Sequence, residues 1–302
     1  MSVSPVKTPE VMSYEGSGYK KDFWEGKGRD YEDRVERIAI RHLIPPTGKR
    51  LLELGAGFGR LTDLYEGYEQ VIVLDYSHSL LQDAQARLGK SDRYIYVAAN
   101  LYQLPIADGV CDAATLIRVI HHISDVPSVL KQIRSALAPN AVFVLEYANK
   151  RNFKAILRYL LRRQRWNPFS REPVEFVKLN FDFHPAFMAE ALKGAGFATQ
   201  RRLAVSYFRL GVLKRLVPTS VLVTLDKWLQ PTGEMAAYAP SMFTKNHAVG
   251  SSPAHNFDGP LFKCPACGIT DLAHQEDRLT CGGCGTQWAI RDGIYDFREP
   301  LK

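Results

Sequence analysis

Apolar and polar positions along the chain follow two periods, and the switching between them predicts the architecture. KRLLELGA, QVIVLDYS, RYIYVAAN, CDAATLIRV and AVFVLEYAN are short, nearly unbroken apolar runs. Unbroken runs of this length suit strands covered on both faces. Between them, FGRLTDLYEG, SLLQDAQARLG and VPSVLKQIRSAL place apolar residues every three or four positions, as amphipathic helices do. The alternation predicts an α/β fold with a doubly wound, mostly parallel sheet. A helix over Tyr31–Leu43 precedes it, with Val35, Ile38, Ala39 and His42/Leu43 on one face. Asp30 and Asp33 stand at capping-box spacing there, and IPPTGK ends the helix. Downstream, HPAFMAEALKGAG reads as a helix and TQRRLAVSYFR as a strand. PSMFTKNHA is expected as a last strand, antiparallel at the sheet edge.

HNFDGPLF reads as a linker that divides the 302 residues in two. The expected main domain is 1–250, with a helical cap over about 20–45 and a basic amphipathic insertion over about 150–172. The second unit is 258–302, and Asp292-Gly293 marks a hairpin within it.

Composition narrows the class. With 46% hydrophobic and 24% charged residues the chain has globular, not disordered, composition. The N-terminus has no apolar signal region, and Leu203–Leu225 is interrupted by Arg209, Lys214, Arg215 and Pro218, so no transmembrane segment is expected. A cytoplasmic protein is the expectation. The net charge of +7 is concentrated in Lys150–Glu172, where eight basic residues face one acid. The rest of the chain balances, 31 basic against 31 acidic residues.

The chemistry begins at LLELGAGFGR. A dinucleotide turn reads G-x-G-x-x-G, whereas Gly55, Gly57 and Gly59 give G-x-G-x-G followed by Arg60. Glu53 stands two residues before the first glycine, where a carboxylate would repel a pyrophosphate but suits a cationic cofactor. S-adenosylmethionine (SAM) carries a sulfonium and an ammonium and no phosphate. Asp75 ends the second strand, where a carboxylate can accept both hydroxyls of a ribose. A nicotinamide enzyme and a turn that binds nothing are the competing readings. The second leaves Glu53 and Asp75 without a purpose.

On ELGAGFG, LDYS, ANLYQLPIADGVCD and IRVIHHISD, residues 20–150 resemble the class I SAM-dependent methyltransferases, particularly the group that includes ubiquinone and menaquinone C-methyltransferases. The resemblance implies a Rossmann-like methyltransferase sheet, loop glycines against the methionine part and Asp75 on the ribose. It also implies Asn100 near adenine N6, where the family more often has Asp, and Arg118 at the methionine end. Ala56, Tyr76 and Leu101 adjoin these positions and complete the expected contacts. His121 and His122 follow Arg118, at the carboxyl ends of the strands where an acceptor should enter. Either histidine is a base or acceptor-orienting donor, or it packs the loop and bonds a backbone carbonyl. No D/N-P-P-Y-type tetrad follows the fourth strand, which argues against transfer to an exocyclic base amine.

Of five cysteines, Cys111 lies in an apolar run and reads as a small buried hydrophobe. The others, Cys264, Cys267, Cys281 and Cys284, form C-x2-C-x13-C-x2-C with Gly268 and Gly285 after the pairs. Four thiolates with no open position predict a closed structural Zn²⁺ site. The tail, through QWAIRDGIYDF in particular, resembles the zinc-ribbon family whose free-standing members partner tRNA and translation-factor methyltransferases.

The acceptor stays open. Phe153, Ile156, Leu157, Leu160 and Leu161 have helical spacing, with basic residues on the other face. Such a helix can lie on an anionic membrane and admit a small or lipid-like acceptor. Alternatively its arginines hold RNA phosphates while Trp166 or Phe169 stacks a base. A third reading docks the apolar face on the protein as a lid. The expected activity is methyl transfer to a small or lipid-like molecule, with peripheral membrane contact. RNA methylation and a non-catalytic SAM-binding scaffold are the alternatives.

Overall fold

The computed structural model describes residues 9–17, 28–250 and 257–301. Residues 18–27, part of the expected helical cap, and 251–256, which include the start of the expected linker, lie outside the described residues.

The chain runs α1 (Asp30–Leu43), β1 (Gly48–Leu54), β2 (Tyr68–Asp75), α2 (His78–Leu88), β3 (Tyr94–Ala98), β4 (Cys111–Leu116), α3 (Val126–Ala136) and β5 (Leu137–Ala148). Then come α4 (Phe153–Leu160), β6 (Val174–Val177), β7 (Asn180–Asp182), α5 (Pro185–Gly194), β8 (Phe197–Val205), α6 (Gly211–Leu216), α7 (Thr219–Leu229) and β9 (Ser241–Ala248). The tail supplies β10 (Leu272–His274), β11 (Arg278–Cys281), β12 (Gln287–Arg291) and β13 (Ile294–Asp296). The main sheet has the order β10-β11-β12-β13-β3-β2-β1-β4-β5-β9-β8. From β13 to β5 neighbours are parallel except within the tail, and β9 is antiparallel to both β5 and β8. This is the α/β methyltransferase form of the Rossmann-like fold, with a mixed sheet.

Alternate strand residues feed two cores. Leu52, Leu54, Ile72 and Leu74 pack with α3 residues such as Val129, Leu130 and Ile133. Leu51, Val71 and Val73 pack instead with Tyr31, Val35 and Ala39 of α1 and Leu81 of α2. Cys111 is fully buried in the first core, as its apolar neighbours predict.

Five expectations change. The strand Ser241–Ala248 is interior, because β8 pairs outside it and takes the edge. FGRLTDLYEG forms only a 3₁₀ turn over Thr62–Tyr65, since Glu53 accepts the Thr62 hydroxyl at 2.6 Å and fixes the segment close to the glycine loop. Helix α1 starts at Asp30 with Arg29 as N-cap and no side-chain cap, because Asp33 is engaged by Arg37 and Arg60 instead. Its inward face carries Glu32 and Glu36 beside Val35, Ala39 and Leu43, while His42 is exposed. The basic helix is short, Phe153–Leu160, and of its residues only Ala155 is buried.

The fifth change concerns the tail. Its strands do not form a detached sheet: β13 pairs in parallel with β3, and Phe297 N donates to Ala98 O at 2.8 Å. Ile294 enters one core while Trp288 and Phe297 enter the other, so the tail continues both faces of the main sheet.

Helices α1 and α7 are tied by one buried carboxylate. Asp226, fully buried, accepts from Tyr31 Oη at 2.6 Å, Tyr207 N at 2.9 Å and Gln230 Nε2 at 3.3 Å. Replacing Asp226 with Ala leaves the Tyr31 hydroxyl and Tyr207 N without their acceptor and should cost about 3 kcal/mol in urea unfolding. Asp226→Asn, which keeps one acceptor oxygen, should recover part of that loss.

Candidate active site

The glycine loop joins β1 to the 3₁₀ turn, and its conformation requires glycine at the first position. Gly55 has φ 68°, and a Cβ there would meet Val119 Cγ2 at 2.1 Å. Gly57 also has a positive φ, 55°, but a Cβ there would meet nothing within 4 Å. The loop is pinned to β2 by Asp75, whose carboxylate accepts Gly57 N and Ser77 N, each at 2.8 Å.

Two adjoining clefts open at this end of the sheet, and Gly55, Gly57 and Arg118 line both. The first, with about 460 Å³ of empty space, is polar; Glu53, Ala56, Phe58, Arg60 and Thr115 complete its wall. The second, with about 700 Å³, is mainly apolar and is lined by Leu74, Asp75, Tyr76, Asn100, Leu101, Tyr102, His122 and Ile123. Every expected cofactor residue except Gly59 lines one cleft or the other. Gly59 lies beneath the loop, where a Cβ would meet Leu88 Cδ1 of α2 at 2.9 Å.

The polar cleft is organised by a residue that sequence reasoning missed. Glu36 of α1 is fully buried and accepts Arg60 Nη2 at 2.9 Å and Arg118 Nη2, with Arg209 Nη2 3.9 Å away. Burial alone would raise its pKa, but Arg118, then Arg60 and Arg209, hold the carboxyl down at about 2. Arg118 has a left-handed backbone, φ 60°, and its N–H donates to the buried Glu146 carboxylate at 2.9 Å. A non-glycine residue in that region costs free energy and persists only where surrounding contacts hold it.

Glu53 is a different case. It too is buried, yet its one hydrogen bond among the described residues is from Thr62. Burial outweighs that bond and the field of Arg60 and pushes its pKa up to about 8. The carboxyl is therefore mostly protonated at neutral pH, because the field of Arg60 is too weak to offset its burial.

On the far side of Arg118, His121 and His122 form a short 3₁₀ turn with ring centroids 4.1 Å apart. His122 uses both nitrogens: Nδ1 donates to Leu179 O at 2.8 Å, and Nε2 accepts from Tyr14 Oη at 3.1 Å. These partners fix the Nδ1–H tautomer, so its geometry is that of a packed, loop-bonding histidine. His121 is held neutral by burial, and next by His122, Arg118 and Arg209. Nearby stand two further groups that carried no sequence signal. Asp182 on β7 has its pKa lifted to about 6, by burial first and then by Glu146, against Arg209 and Lys150. Arg209 follows β8, and its Nε and Nη2 are buried with no hydrogen-bond partner among the described residues.

In the tail the four cysteine Sγ atoms lie within 4.8 Å of one another, a group that could hold a metal ion. Cys264 and Cys284 are 3.8 Å apart and Cys267 and Cys281 3.5 Å, Sγ to Sγ. A thiolate tetrahedron with ~2.3 Å metal–sulfur bonds has edges of ~3.8 Å. Gly268 and Gly285 both adopt positive φ, at 79° and 73°.

Comparison with known proteins agrees with this geometry. Residues 52–145 match the family described as "Methyltransferase domain". A demethylmenaquinone methyltransferase of Clavibacter sepedonicus is 25% identical over 53% of this chain and 58% of its own. A 2-phytyl-1,4-naphtoquinone methyltransferase of Trichormus variabilis is 29% identical over 42% of this chain and 59% of its own. The chain spans little more than half the length of these curated relatives. Among solved structures, a complex of a methyltransferase activator and a putative methyltransferase from Haloferax volcanii superposes with TM-score 0.52 at 18% identity, covering 75% of this chain and 95% of that one. A SAM-dependent methyltransferase from Mesorhizobium loti gives 0.52 at 20% identity, over 72% and 99%. Both show a shared fold.

The raised pKa of Glu53 has a consequence for stability. A carboxyl whose pKa is higher folded than unfolded binds more protons when folded, so its favourable contribution is complete below the ordinary carboxylate range. That contribution is lost as pH rises toward about 8. Glu53→Gln removes the titration, and urea unfolding should show a flatter decline over this window than in the unaltered chain. Equal declines would mean that Glu53 does not carry the raised pKa. The glycine loop and the paired clefts lie in or beside the segment, residues 52–145, that matches a methyltransferase domain, and together they support a SAM-dependent methyltransferase.

Proposed function

We propose that the protein transfers the methyl group of SAM to a small or lipid-like, quinone-type acceptor. The observation that carries this reading is the pairing of a polar cleft holding Glu53 with an apolar cleft holding Asp75, joined at Gly55, Gly57 and Arg118. Glu53 would take the ammonium of SAM, which restores its ionised form, and Arg60 or Arg118 its carboxylate. Asp75 would take the ribose hydroxyls and Asn100 the adenine amine. Bound SAM supplies a methyl group already activated on a sulfonium, so the protein's part is alignment and exclusion of water.

The acceptor would approach past Arg118, where His121, Asp182 and Arg209 lie. A hydroxylic acceptor gives up a proton as it is methylated, and Asp182, with its pKa at about 6, is suited to receive it at neutral pH. Arg209 can hold the oxyanion. The named relatives act on demethylmenaquinone and on a phytyl-naphthoquinone, which supports an apolar ring acceptor.

Lipid access finds support on α4. Phe153, Leu157, Leu160 and Leu161 are exposed, Phe153 and Leu160 by about two thirds, so the helix is not docked as a lid. Lys154, Arg158, Arg162, Arg163 and Arg165 are exposed around them. Such a face suits an anionic lipid surface better than RNA, which has no use for exposed leucines. Among the described residues no helix is long and apolar enough to cross a membrane, so the contact would be peripheral. The four tail cysteines would hold one structural Zn²⁺, whose fit rests on the sulfur spacing given above.

Two experiments test this reading. Tritiated methyl transfer from SAM should appear in a quinol or lipid fraction, and Asp75→Ala should weaken SAM binding by about 1.5–3 kcal/mol. Label confined to RNA, or no SAM binding by calorimetry, would overturn the proposal. In flotation assays with phosphatidylserine-containing vesicles, Arg158, Arg162 and Arg163 changed to Gln should abolish binding, and Phe153→Ser with Leu160→Ser should do the same. For the metal, elemental analysis should give one zinc per chain, and Cys281→Ser should lose it.

A further inference from the structure

Residues 9–17 run across the apolar cleft. Val11, Met12 and Tyr14 form part of its wall, together with Asp75, Asn100 and Leu101. Whatever occupies this cleft would meet them. Their attachment is polar and specific. One Glu15 oxygen accepts His78 N at 2.7 Å and the other Ser79 N at 3.0 Å, both amides of the first turn of α2. Gly16 N donates to Ser79 Oγ at 3.0 Å.

The tail supplies a second grip. Arg298 Nη1 donates to Glu15 Oε2 at 2.9 Å and reaches Tyr76 O at 3.4 Å. Arg298 is itself fixed by Asp296, through Nε at 2.9 Å and Nη2 at 2.8 Å. Asp296 ends β13, which is hydrogen-bonded to β3, so the guanidinium stands on the main sheet and not on a loose end. At the opposite side Tyr14 Oη donates to His122 Nε2. The segment is thus anchored to the first turn of α2 and the tail at one point and to the acceptor end of the cleft at another.

We propose that residues 10–17 are a strap that gates the adenosine end of the cofactor cleft, with Arg298 as its latch, a positioning residue acting through Glu15. The proposal rests on the reading that SAM occupies this cleft. A ligand beneath the strap enters or leaves when the strap opens, and opening must break the Glu15–Arg298 and Tyr14–His122 contacts. Opening also removes the hydroxyl donor to His122 Nε2 while Leu179 O keeps the proton on Nδ1, so the state of the cofactor cleft is felt at His122.

The test is the rate of exchange of tritiated SAM on the full chain, chased with unlabelled S-adenosylhomocysteine. Arg298→Ala should speed release by about tenfold, the effect of losing one charge-assisted hydrogen bond. Because the strap is a gate, association should quicken as well, so affinity moves less than either rate. Glu15→Ala, which also releases His78 N and Ser79 N, should speed release at least as much, and the double variant should be no faster than Glu15→Ala alone, since Arg298 acts on the strap through Glu15. Tyr14→Phe, which deletes one hydroxyl and leaves the tail intact, should also speed exchange and keeps the idea testable if Arg298→Ala disturbs the tail. Unchanged exchange in Arg298→Ala and Tyr14→Phe, or faster release with association unaltered, would overturn the strap. Effects of Glu15 and Arg298 that multiply would overturn the latch. If the unaltered chain retains no SAM, the cofactor reading fails and the strap with it; retention with unchanged variants sinks the strap alone.

Discussion

The site depends on a single buried carboxylate, Glu36. An isolated charge in a protein interior would carry a desolvation penalty of several kcal/mol, and Glu36 escapes it only because Arg118 and Arg60 bind it and Arg209 stands nearby. The dependence runs both ways. Arg118 sits in a left-handed backbone conformation at the junction of the two clefts, with its guanidinium on Glu36 and its N–H on Glu146. Arg60, directly after the glycine loop, is turned inward by the same carboxylate and by Asp33. Helix α1 is therefore more than a cover on one sheet face. It carries the countercharge that lets two cations line the polar cleft without repelling each other out of it. Removing one partner of such a buried group typically costs about 3–5 kcal/mol, so cleft and cap helix stand or fall together.

A second constraint comes from the sheet edge. Strand β3 would otherwise present unpaired backbone groups at the edge nearest the apolar cleft. The tail covers it with β13 and continues both hydrophobic cores through Ile294, Trp288 and Phe297. Four strands and a cysteine cluster make a small unit with little core of its own, and it gains stability by becoming part of a larger sheet. The same pairing brings Asp296 and Arg298 beside Tyr76 and Glu15. The parallel register of β13 on β3 thus does two jobs at once: it closes an edge and delivers a cation to Glu15 and Tyr76 beside the apolar cleft.

Local signals were legible and long-range ones were not. The strand runs, the glycine loop, Glu53 and Asp75 each follow from a few consecutive residues, and they lie where the pattern predicts. The cysteine quartet was readable for the same reason, since spacing within each C-x2-C pair reports one tight turn. Glu36 was invisible because an acid in an amphipathic helix normally faces solvent, and only Arg60 and Arg118, 24 and 82 positions away, turn it inward. The 3₁₀ turn over Thr62–Tyr65 was misread as a helix because its apolar spacing is helical while the Glu53–Thr62 bond is not local. Val11, Met12 and Tyr14 lie in a polar N-terminal stretch with no periodicity. Nothing in such a stretch announces a cleft wall built against residues from Gly55 to Ile123.

The charges around the clefts divide the chemistry between their two ends. At Glu53 burial leaves the carboxyl neutral until a cation arrives, so ionisation there is coupled to binding. Toward the acceptor end, beyond Arg118, the positive field reverses the logic. Burial, and then His122, Arg118 and Arg209, keep His121 unprotonated, while burial and then Glu146 lift Asp182 into the range where a carboxylate can take up a proton. A neutral histidine and a weakly basic carboxylate beside an arginine with free donors suit an acceptor that enters uncharged and becomes anionic as it loses its proton. A cationic amine would meet two guanidiniums in the same place. Under the proposed reaction this arrangement would favour a neutral, hydroxylic acceptor over a cationic amine.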